Sequence, residues 1–192
     1  KAIREMMEKS SKFLSLSGLS GIIAGITAIA GAMFGYFYIL QNPSLTNFNH
    51  KQELTILIAD ALVVLAISFS FAFYFSWKKA KKNKQKLFNS VTIRTLYNLA
   101  IPLAAGGILS IIMIFRGQVE LIAATTLIFY GLSLVNASKF LNDEIHYLGI
   151  TEIIIGILAA IFIHKGLIFW TLGFGVCHII YGAIMYKKYD LK

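Results

Sequence analysis

The sequence has few of the residues on which secreted frameworks and metal clusters depend. Its one cysteine, Cys177, lies inside an apolar stretch, so neither a disulfide framework nor a thiolate metal cluster can form within one chain. Recognisable enzyme and channel motifs are also missing: there is no P-loop, no His-Glu-x-x-His, no Gly-x-Ser-x-Gly and no potassium-filter sequence. The sequence therefore names no reaction and no substrate.

Polar residues are scarce as well, and long apolar runs take their place. Hydrophobic residues make up 57% of the 192-residue chain, charged residues only 14%, and the mean hydropathy is +0.72. A soluble helical domain of this size would need more polar surface. Six apolar stretches each approach the roughly 20 residues with which a helix crosses a bilayer. They cover residues 13–40, 54–77, 96–115, 119–138, 145–163 and 167–186.

These stretches are apolar on every face rather than at alternate positions, which favours helices over the strands of a barrel. We therefore predict an all-α membrane protein in which residues 1–192 form a single six-helix bundle. The first stretch is longer than the apolar region of a signal peptide, so we expect it to remain as a span.

The basic residues predict how the chain is threaded. With six spans, 15 of the 18 lysines and arginines fall at the two termini and on alternate connections, while only Lys51, Arg116 and Lys165 lie opposite. The positive-inside rule makes the side with the larger number cytoplasmic, which predicts cytoplasmic N and C termini. We expect a multi-pass protein of a bacterial cytoplasmic (inner) membrane.

The densest basic cluster, Trp77 to Lys86, is best explained by this threading. Contact with anionic lipid headgroups is an alternative. No aromatic side chains are interleaved with the lysines, so we expect the lipid bilayer as a partner and no nucleic acid.

Glycines suggest an internal repeat. The first, third and fifth spans align around Gly25, Gly107 and Gly156, while the fourth and sixth share Tyr130-Gly131 and Tyr181-Gly182. Three copies of a helical hairpin would explain both similarities.

Small residues also predict close helix packing. In the first span Gly21, Gly25 and Gly35 recur on one face, together with Ala28 and Ala32. Such a face lets another backbone approach closely. Its partner is either another helix of the same chain or a separate protein, which would be a second copy or a different membrane protein.

Three ionisable residues lie within the spans: Asp60, Glu152 and His178. Each costs on the order of 2.5–3.5 kcal/mol at mid-bilayer on an insertion scale, so such residues are candidates for function. Glu152 and His178 are each 13 residues from Lys165 in the outer turn, and both lie on stripes of small residues. Antiparallel helices would bring them to the same depth, where they could form a hydrogen-bonded pair.

That pair has two interpretations, a proton relay or cation site and a polar contact that only fixes helix packing. Asp60 is about six residues into the second span, where it could reach the membrane interface or a water-filled vestibule. In the third span, Pro102 frees the backbone carbonyl of Asn98, four residues earlier. Asn136 of the fourth span lies at the same depth as Asn98, near the inner ends of the two spans. We expect hydrogen bonding between these two helices.

Enzyme functions have less support. A haem would require histidines at matched depth, and His178 has no such partner within the chain. Asp143, Glu144 and His146 cluster at the inner boundary, but capping of the fifth helix by Asn142 and Asp143 explains them without a metal. We assign no catalytic residue and no metal site, and the sequence does not identify a cofactor.

Three classes of function therefore remain. The foremost is a small transporter or channel for an ion or small solute, because Glu152, His178 and Asp60 are expected to face inward in a chain with almost no soluble mass. A non-catalytic membrane subunit or scaffold is the second, and a membrane-embedded enzyme or haem protein the third.

The threading can be tested by chemical labelling. Cysteines substituted for Asn47 and Gln118 should react with an impermeant thiol reagent added outside intact cells, whereas a cysteine at Asn83 should not. Labelling of Asn83→Cys from outside would show that the orientation is reversed.

Overall fold

A computed structural model describes residues 17–40, 50–82 and 88–191, and every regular element within these ranges is helical. The helices are α1 (Gly18–Phe34), α2 (His50–Lys82), α3 (Ser90–Phe115), α4 (Ile122–Ala137), α5 (Asp143–Ile161), α6 (Gly166–Trp170) and α7 (His178–Met185). Outside the described residues lie the predicted start of the first span, the end of the basic cluster, and the labelling positions Asn47 and Asn83.

Six segments are long and apolar enough to cross a membrane, which confirms the predicted helical class and number of spans. They are Gly18–Phe37, Gln52–Lys82, Ser90–Phe115, Val119–Phe140, Asp143–Ile161 and Ile163–Asp190. The last, called the sixth span below, contains α6, a π-helical segment at Thr171–Cys177, α7 and a second π-helical segment at Tyr186–Asp190.

Two helices extend beyond the predicted boundaries. Helix α2 runs from His50 to Lys82, because its polar ends continue the helical backbone past the apolar stretch. Helix α3 begins at Ser90, six residues before its apolar run. The Asn89 side chain accepts a hydrogen bond from the Thr92 amide at 2.8 Å and so caps the first turn of α3.

Neighbouring spans pack as antiparallel pairs. Helix α1 lies against both α2 and the sixth span, α4 lies between α3 and α5, and α5 also contacts the sixth span. Helices α2 and α3 contribute few buried side chains, and residues such as Leu65 and Phe69 are 63% and 68% exposed. Such faces are suited to contact with lipid.

The first glycine crossing joins α1 to the sixth span. A Cβ atom at Gly25 would lie 2.5 Å from the Gly175 carbonyl oxygen, and one at Gly182 would lie 2.8 Å from the Gly18 carbonyl oxygen. Gly21 would bring a Cβ to 3.2 Å from the Gly182 Cα. The two backbones therefore touch along about two turns, an approach that glycine permits because it has no side chain.

A second glycine crossing joins α4 to α5. A Cβ atom at Gly131 would lie 2.5 Å from the Gly149 carbonyl oxygen, and one at Gly156 would lie 2.9 Å from the Ile128 amide nitrogen. The glycines flank Glu152 on α5, so they set how closely α4 approaches the segment that carries this carboxyl group.

The far part of α1 packs on α2 instead. A Cβ atom at Gly35 would lie 3.0 Å from Leu57 Cδ2, and the hydroxyls of Thr27 and Ser68 are hydrogen-bonded at 3.1 Å. The small-residue face of α1 is thus filled by helices of the same chain over its described length.

Pro102 leaves the Asn98 carbonyl without its usual helical donor. The Asn136 side chain of α4 donates a hydrogen bond to this oxygen at 2.9 Å. An interhelical hydrogen bond therefore satisfies the group that the proline frees, as expected of a membrane helix.

Two acidic side chains tie the helices together at the end of the bundle that carries Lys79 and Lys188, called the basic end below. Asp190 accepts hydrogen bonds from Ser17 Oγ and the Gly18 amide, both at 2.8 Å, and from Lys79 Nζ at 2.6 Å. It thereby caps α1 and joins α1, α2 and the sixth span.

Glu144 makes the second such contact at the basic end. It accepts hydrogen bonds from Lys188 Nζ at 2.6 Å and from Tyr189 Oη at 3.0 Å. The sequence assigned this region to capping of α5. Asn142 does occupy the N-cap position of α5, but its side chain makes no capping hydrogen bond. Glu144 contacts the sixth span, so its role extends beyond the dipole of α5.

Buried apolar side chains form two clusters, one toward each end of the bundle. The cluster toward the basic end contains Leu134, Ala137, Leu141, Ile145, Leu148 and Met185, and the other contains Ala124, Leu127 and Ala159. Between them lie the buried polar residues considered next.

Substitutions at adjacent positions of α1 test the first glycine crossing. Gly25→Leu should lower the thermal stability of the purified protein by a few kcal/mol, because its side chain would enter the space of Gly175 and Ile179. Ile26→Leu is the matched control, since Ile26 is 54% exposed. Equal melting temperatures for the two variants would contradict this packing.

Candidate functional site

Glu152 lies at the middle of α5 and is completely buried, with 0% of its surface exposed. Nine residues precede it in the helix and nine follow, so it is about 14 Å from either end. Its carboxyl group fits against Gly173 of the sixth span, where any Cβ atom would collide with Glu152 Oε2 and with Leu127. The absence of a side chain at Gly173 therefore creates the space for the carboxyl group.

His178 faces this carboxyl group from the sixth span. Its Nδ1 atom lies 3.4 Å from Glu152 Oε1 and 3.0 Å from the Gly173 carbonyl oxygen. The structure thus brings together the two residues whose common depth the sequence predicted. Because a carbonyl oxygen can only accept, the shorter contact places the Nδ1 proton toward Gly173.

Tyr130 of α4 completes the cluster. Its hydroxyl lies 2.8 Å from His178 Nε2, and the two rings are 5.4 Å apart. When Nδ1 carries the only imidazole proton, Nε2 accepts a hydrogen bond from the tyrosine hydroxyl. When both nitrogens are protonated, Nε2 donates to the tyrosine oxygen, so the hydroxyl is a suitable partner for either state of the ring.

The local helix geometry positions the imidazole. His178 directly follows the π-helical segment Thr171–Cys177, which contains Gly173 and Gly175. Gly175 lies at the crossing with α1, while the Gly173 carbonyl accepts from the imidazole five residues later. Segments of π-helix occur frequently at functional sites.

Neither oxygen of Glu152 has a hydrogen-bond partner among the described residues. Leaving a buried polar group unsatisfied costs about 1–3 kcal/mol, and more for an ionised one. Two states avoid the full cost: a neutral, protonated carboxyl beside neutral His178, or a carboxylate beside a protonated imidazole. Both have the same total charge, and they differ only in where one proton resides.

Asp60 does not join this cluster. It is partly exposed on α2, and a Cβ atom at Gly31 of α1 would lie 3.0 Å from its Oδ2 atom. Of the three ionisable residues singled out in the sequence, Glu152 and His178 are therefore neighbours, and Asp60 lies at the separate contact between α1 and α2.

Sequence reasoning did not assign Tyr130 to the site, although a signal was present. Tyr130 follows the turn residue Gly117 by 13 residues, and His178 follows Lys165 by the same number. The depth count that paired Glu152 with His178 thus also applied to Tyr130. What the count could not supply is the rotation of α4 about its axis.

The three side chains of the cluster all carry groups that exchange protons. A carboxyl, an imidazole and a phenol can each donate or accept a proton. In the part of the chain that the structure describes, no three histidine, cysteine, aspartate or glutamate side chains converge in a geometry for a metal ion.

A double-mutant cycle tests the coupling between Glu152 and His178. Each of Glu152→Gln and His178→Ala should lower stability, because each leaves the other polar group buried without its partner. The double variant should cost less than the sum of the two by about 0.5–3 kcal/mol in the free energy of unfolding. Additive effects would show that the two side chains do not interact.

No protein-family model, curated protein or solved structure was found to match this chain. The chemistry of the cluster formed by Tyr130, Glu152 and His178 is therefore the basis for a functional proposal.

Proposed function

We propose that this polytopic membrane protein is a small transporter or channel for an ion or small solute, with Tyr130, Glu152 and His178 as its central site. The single observation that supports the proposal is the burial of Glu152 at mid-helix with both carboxyl oxygens lacking a described hydrogen-bond partner. An intramembrane ionisable residue of this kind is costly, and such residues mark ion and proton pathways.

A purely structural pair would be expected to satisfy its own hydrogen bonds. Asp190 and Glu144 do so at the basic end, where each carboxylate accepts from a lysine at 2.6 Å and from further donors. Glu152 differs from these two residues. His178 Nδ1 lies 3.4 Å from its carboxyl group but donates its hydrogen bond to the Gly173 carbonyl instead. The contrast favours a group that exchanges its partner during function.

The threading belongs to the same proposal. Lys79, Lys139, Lys187 and Lys188 lie toward one end of the bundle, and we propose that this end is cytoplasmic in a bacterial inner membrane. In that orientation the contacts of Asp190 and Glu144 lie at the cytoplasmic end of the bundle.

The hairpin repeat is supported by the register of the two glycine crossings. Gly149 follows Gly18 by 131 residues, and Gly182 follows Gly131 by 51. The residue pairs that meet at the two crossings correspond under these shifts: Gly18 with Gly182 matches Gly149 with Gly131, and Gly25 with Ile179 matches Gly156 with Ile128. We propose that the bundle descends from a helical hairpin present in three copies. The copies would be related by rotation about an axis along the membrane normal.

A second candidate is a non-catalytic membrane subunit, and one observation favours it. Gly107 on α3 has open space where a Cβ atom would project, although the aligned Gly25 and Gly156 are both packed against a helix. A second copy of the chain or another membrane protein would fit such a face. In this function the buried pair would serve only to fix helix packing.

Reconstitution into liposomes tests the proposal. The wild-type protein should carry a flux of at least one ion or small solute under an imposed gradient, and Glu152→Gln should reduce it at least about tenfold, since the site loses its ionisable carboxyl. Dye-reported fluxes of protons, sodium and potassium, together with a panel of labelled small solutes, provide the measurement.

Glu120→Gln is the matched control, because it makes the same chemical change at an exposed position between α3 and α4. Its flux should equal that of the wild type. Absence of any flux from folded wild-type protein, together with energetic coupling of Glu152 and His178, would refute transport and favour the subunit role.

A further inference from the structure

We infer that the ligand exchanged at this site is a proton, which reaches Glu152 from Tyr130 through the imidazole of His178. The inference depends on the proposed function and specifies its substrate. It follows from three observations: the enclosure of the carboxyl group, the order of the three side chains, and the titratable groups that surround them.

The enclosure of the carboxyl group favours a proton over a larger ligand. Glu152 is fully buried. Its Oε2 atom and the Leu127 side chain both lie where a Cβ atom of residue 173 would be, a position left open because that residue is glycine. Leu127 itself is 0% exposed. A sodium or organic cation at the carboxyl group would have to displace these atoms, whereas a proton adds no appreciable volume.

The order of the side chains defines a relay. Tyr130 Oη lies 2.8 Å from His178 Nε2, and His178 Nδ1 lies 3.4 Å from Glu152 Oε1. Nε2 thus contacts the tyrosine hydroxyl, while Nδ1 faces the carboxyl group without a hydrogen bond to it and donates to the Gly173 carbonyl instead. An imidazole that accepts a proton at one nitrogen and releases one at the other carries a net proton across its own width.

The loading step starts from a carboxylate beside neutral His178, which is the state that bears the cost of an unsatisfied buried charge, and it balances as follows. A proton delivered to the Tyr130 oxygen binds there as the hydroxyl proton passes to Nε2, which gives an imidazolium. The Nδ1 proton then moves from its contact with Gly173 to Glu152 Oε1, breaking the N–H bond and forming an O–H bond. Glu152 ends as a neutral acid, His178 as the other neutral tautomer and Tyr130 unchanged, so the net reaction is addition of one proton to the carboxylate.

Of the three side chains Tyr130 has the largest exposed fraction, so it stands first in the relay, whereas Glu152 is enclosed. The titratable groups that face the carboxyl from the neighbouring elements are few. The sixth span supplies His178 and Cys177, which is within electrostatic range of Glu152, and α4 supplies Tyr130. The Tyr181 hydroxyl lies 3.5 Å from Thr151 Oγ1, beside Glu152 on α5.

Infrared difference spectroscopy of the full chain in lipid tests the loading directly. Spectra recorded between about pH 4 and about pH 10 should contain a carboxylic-acid C=O band from a buried group, which Glu152→Gln removes and Glu120→Gln retains. Identical spectra from the wild type and the folded Glu152→Gln variant would overturn the inference.

Tyr130→Phe tests the route. It removes the hydroxyl while keeping the ring against Phe174, 5.1 Å away, so the fold should be retained. The Glu152 band should persist, but its appearance after a pH jump should slow on the order of 100-fold. A rate equal to that of the wild type would show that protons do not enter through Tyr130.

Proton flux in the same liposomes separates this inference from the proposed function. Proton flux that falls in both Tyr130→Phe and Glu152→Gln supports the relay. Flux of another ion or solute that Glu152→Gln abolishes, without a titrating Glu152 band, would refute the proton and leave transport standing. A titrating band without flux of any tested species would support loading of Glu152 and refute transport.

Discussion

Direct contact between helix backbones at glycine is the interaction on which this bundle depends. In a bilayer, lipid tails are as apolar as leucine, so burial of apolar side chains adds little drive for helices to associate. Close packing and hydrogen bonds between helices must supply it. The Gly18–Gly182 and Gly131–Gly149 contacts bring two pairs of helices close enough for both, and the second pair positions the segment of α5 that carries Glu152.

Hydrogen bonding then follows a consistent rule through most of the described chain. Where the sequence introduces a polar group that helix geometry leaves unsatisfied, a neighbouring helix provides the partner, as Asn136 does for the carbonyl freed by Pro102. Asp190 and Glu144 obey the same rule at the basic end. Glu152 departs from it at the depth where the departure costs most. This departure is the observation on which the proposed function depends.

Much of the fold could be predicted from sequence, because membrane thickness fixes span length and apolar runs reveal it. Depth could be predicted too, since residue counts from a turn convert directly to distance, and this placed Glu152 beside His178. The rotation of these helices about their axes could not be predicted. No pattern showed that Tyr130 on α4 points toward His178, or that Asp60 on α2 faces Gly31. Nor did local capping rules anticipate that Glu144 would bind Lys188, 44 residues away, because such contacts depend on which spans are neighbours.

The π-helical segment Thr171–Cys177 sets the rotation of the rest of the sixth span about its axis. A π-type turn closes its hydrogen bond over one residue more than an α-helical turn. If this segment tightened to regular α-helix, every residue after it would rotate by about 100° relative to those before it. Such rewinding would turn the imidazole of His178 away from Glu152 and move Gly182 off Gly18 at the same time. One stretch of backbone thus sets both the position of His178 and the register of the seam between the first and last spans.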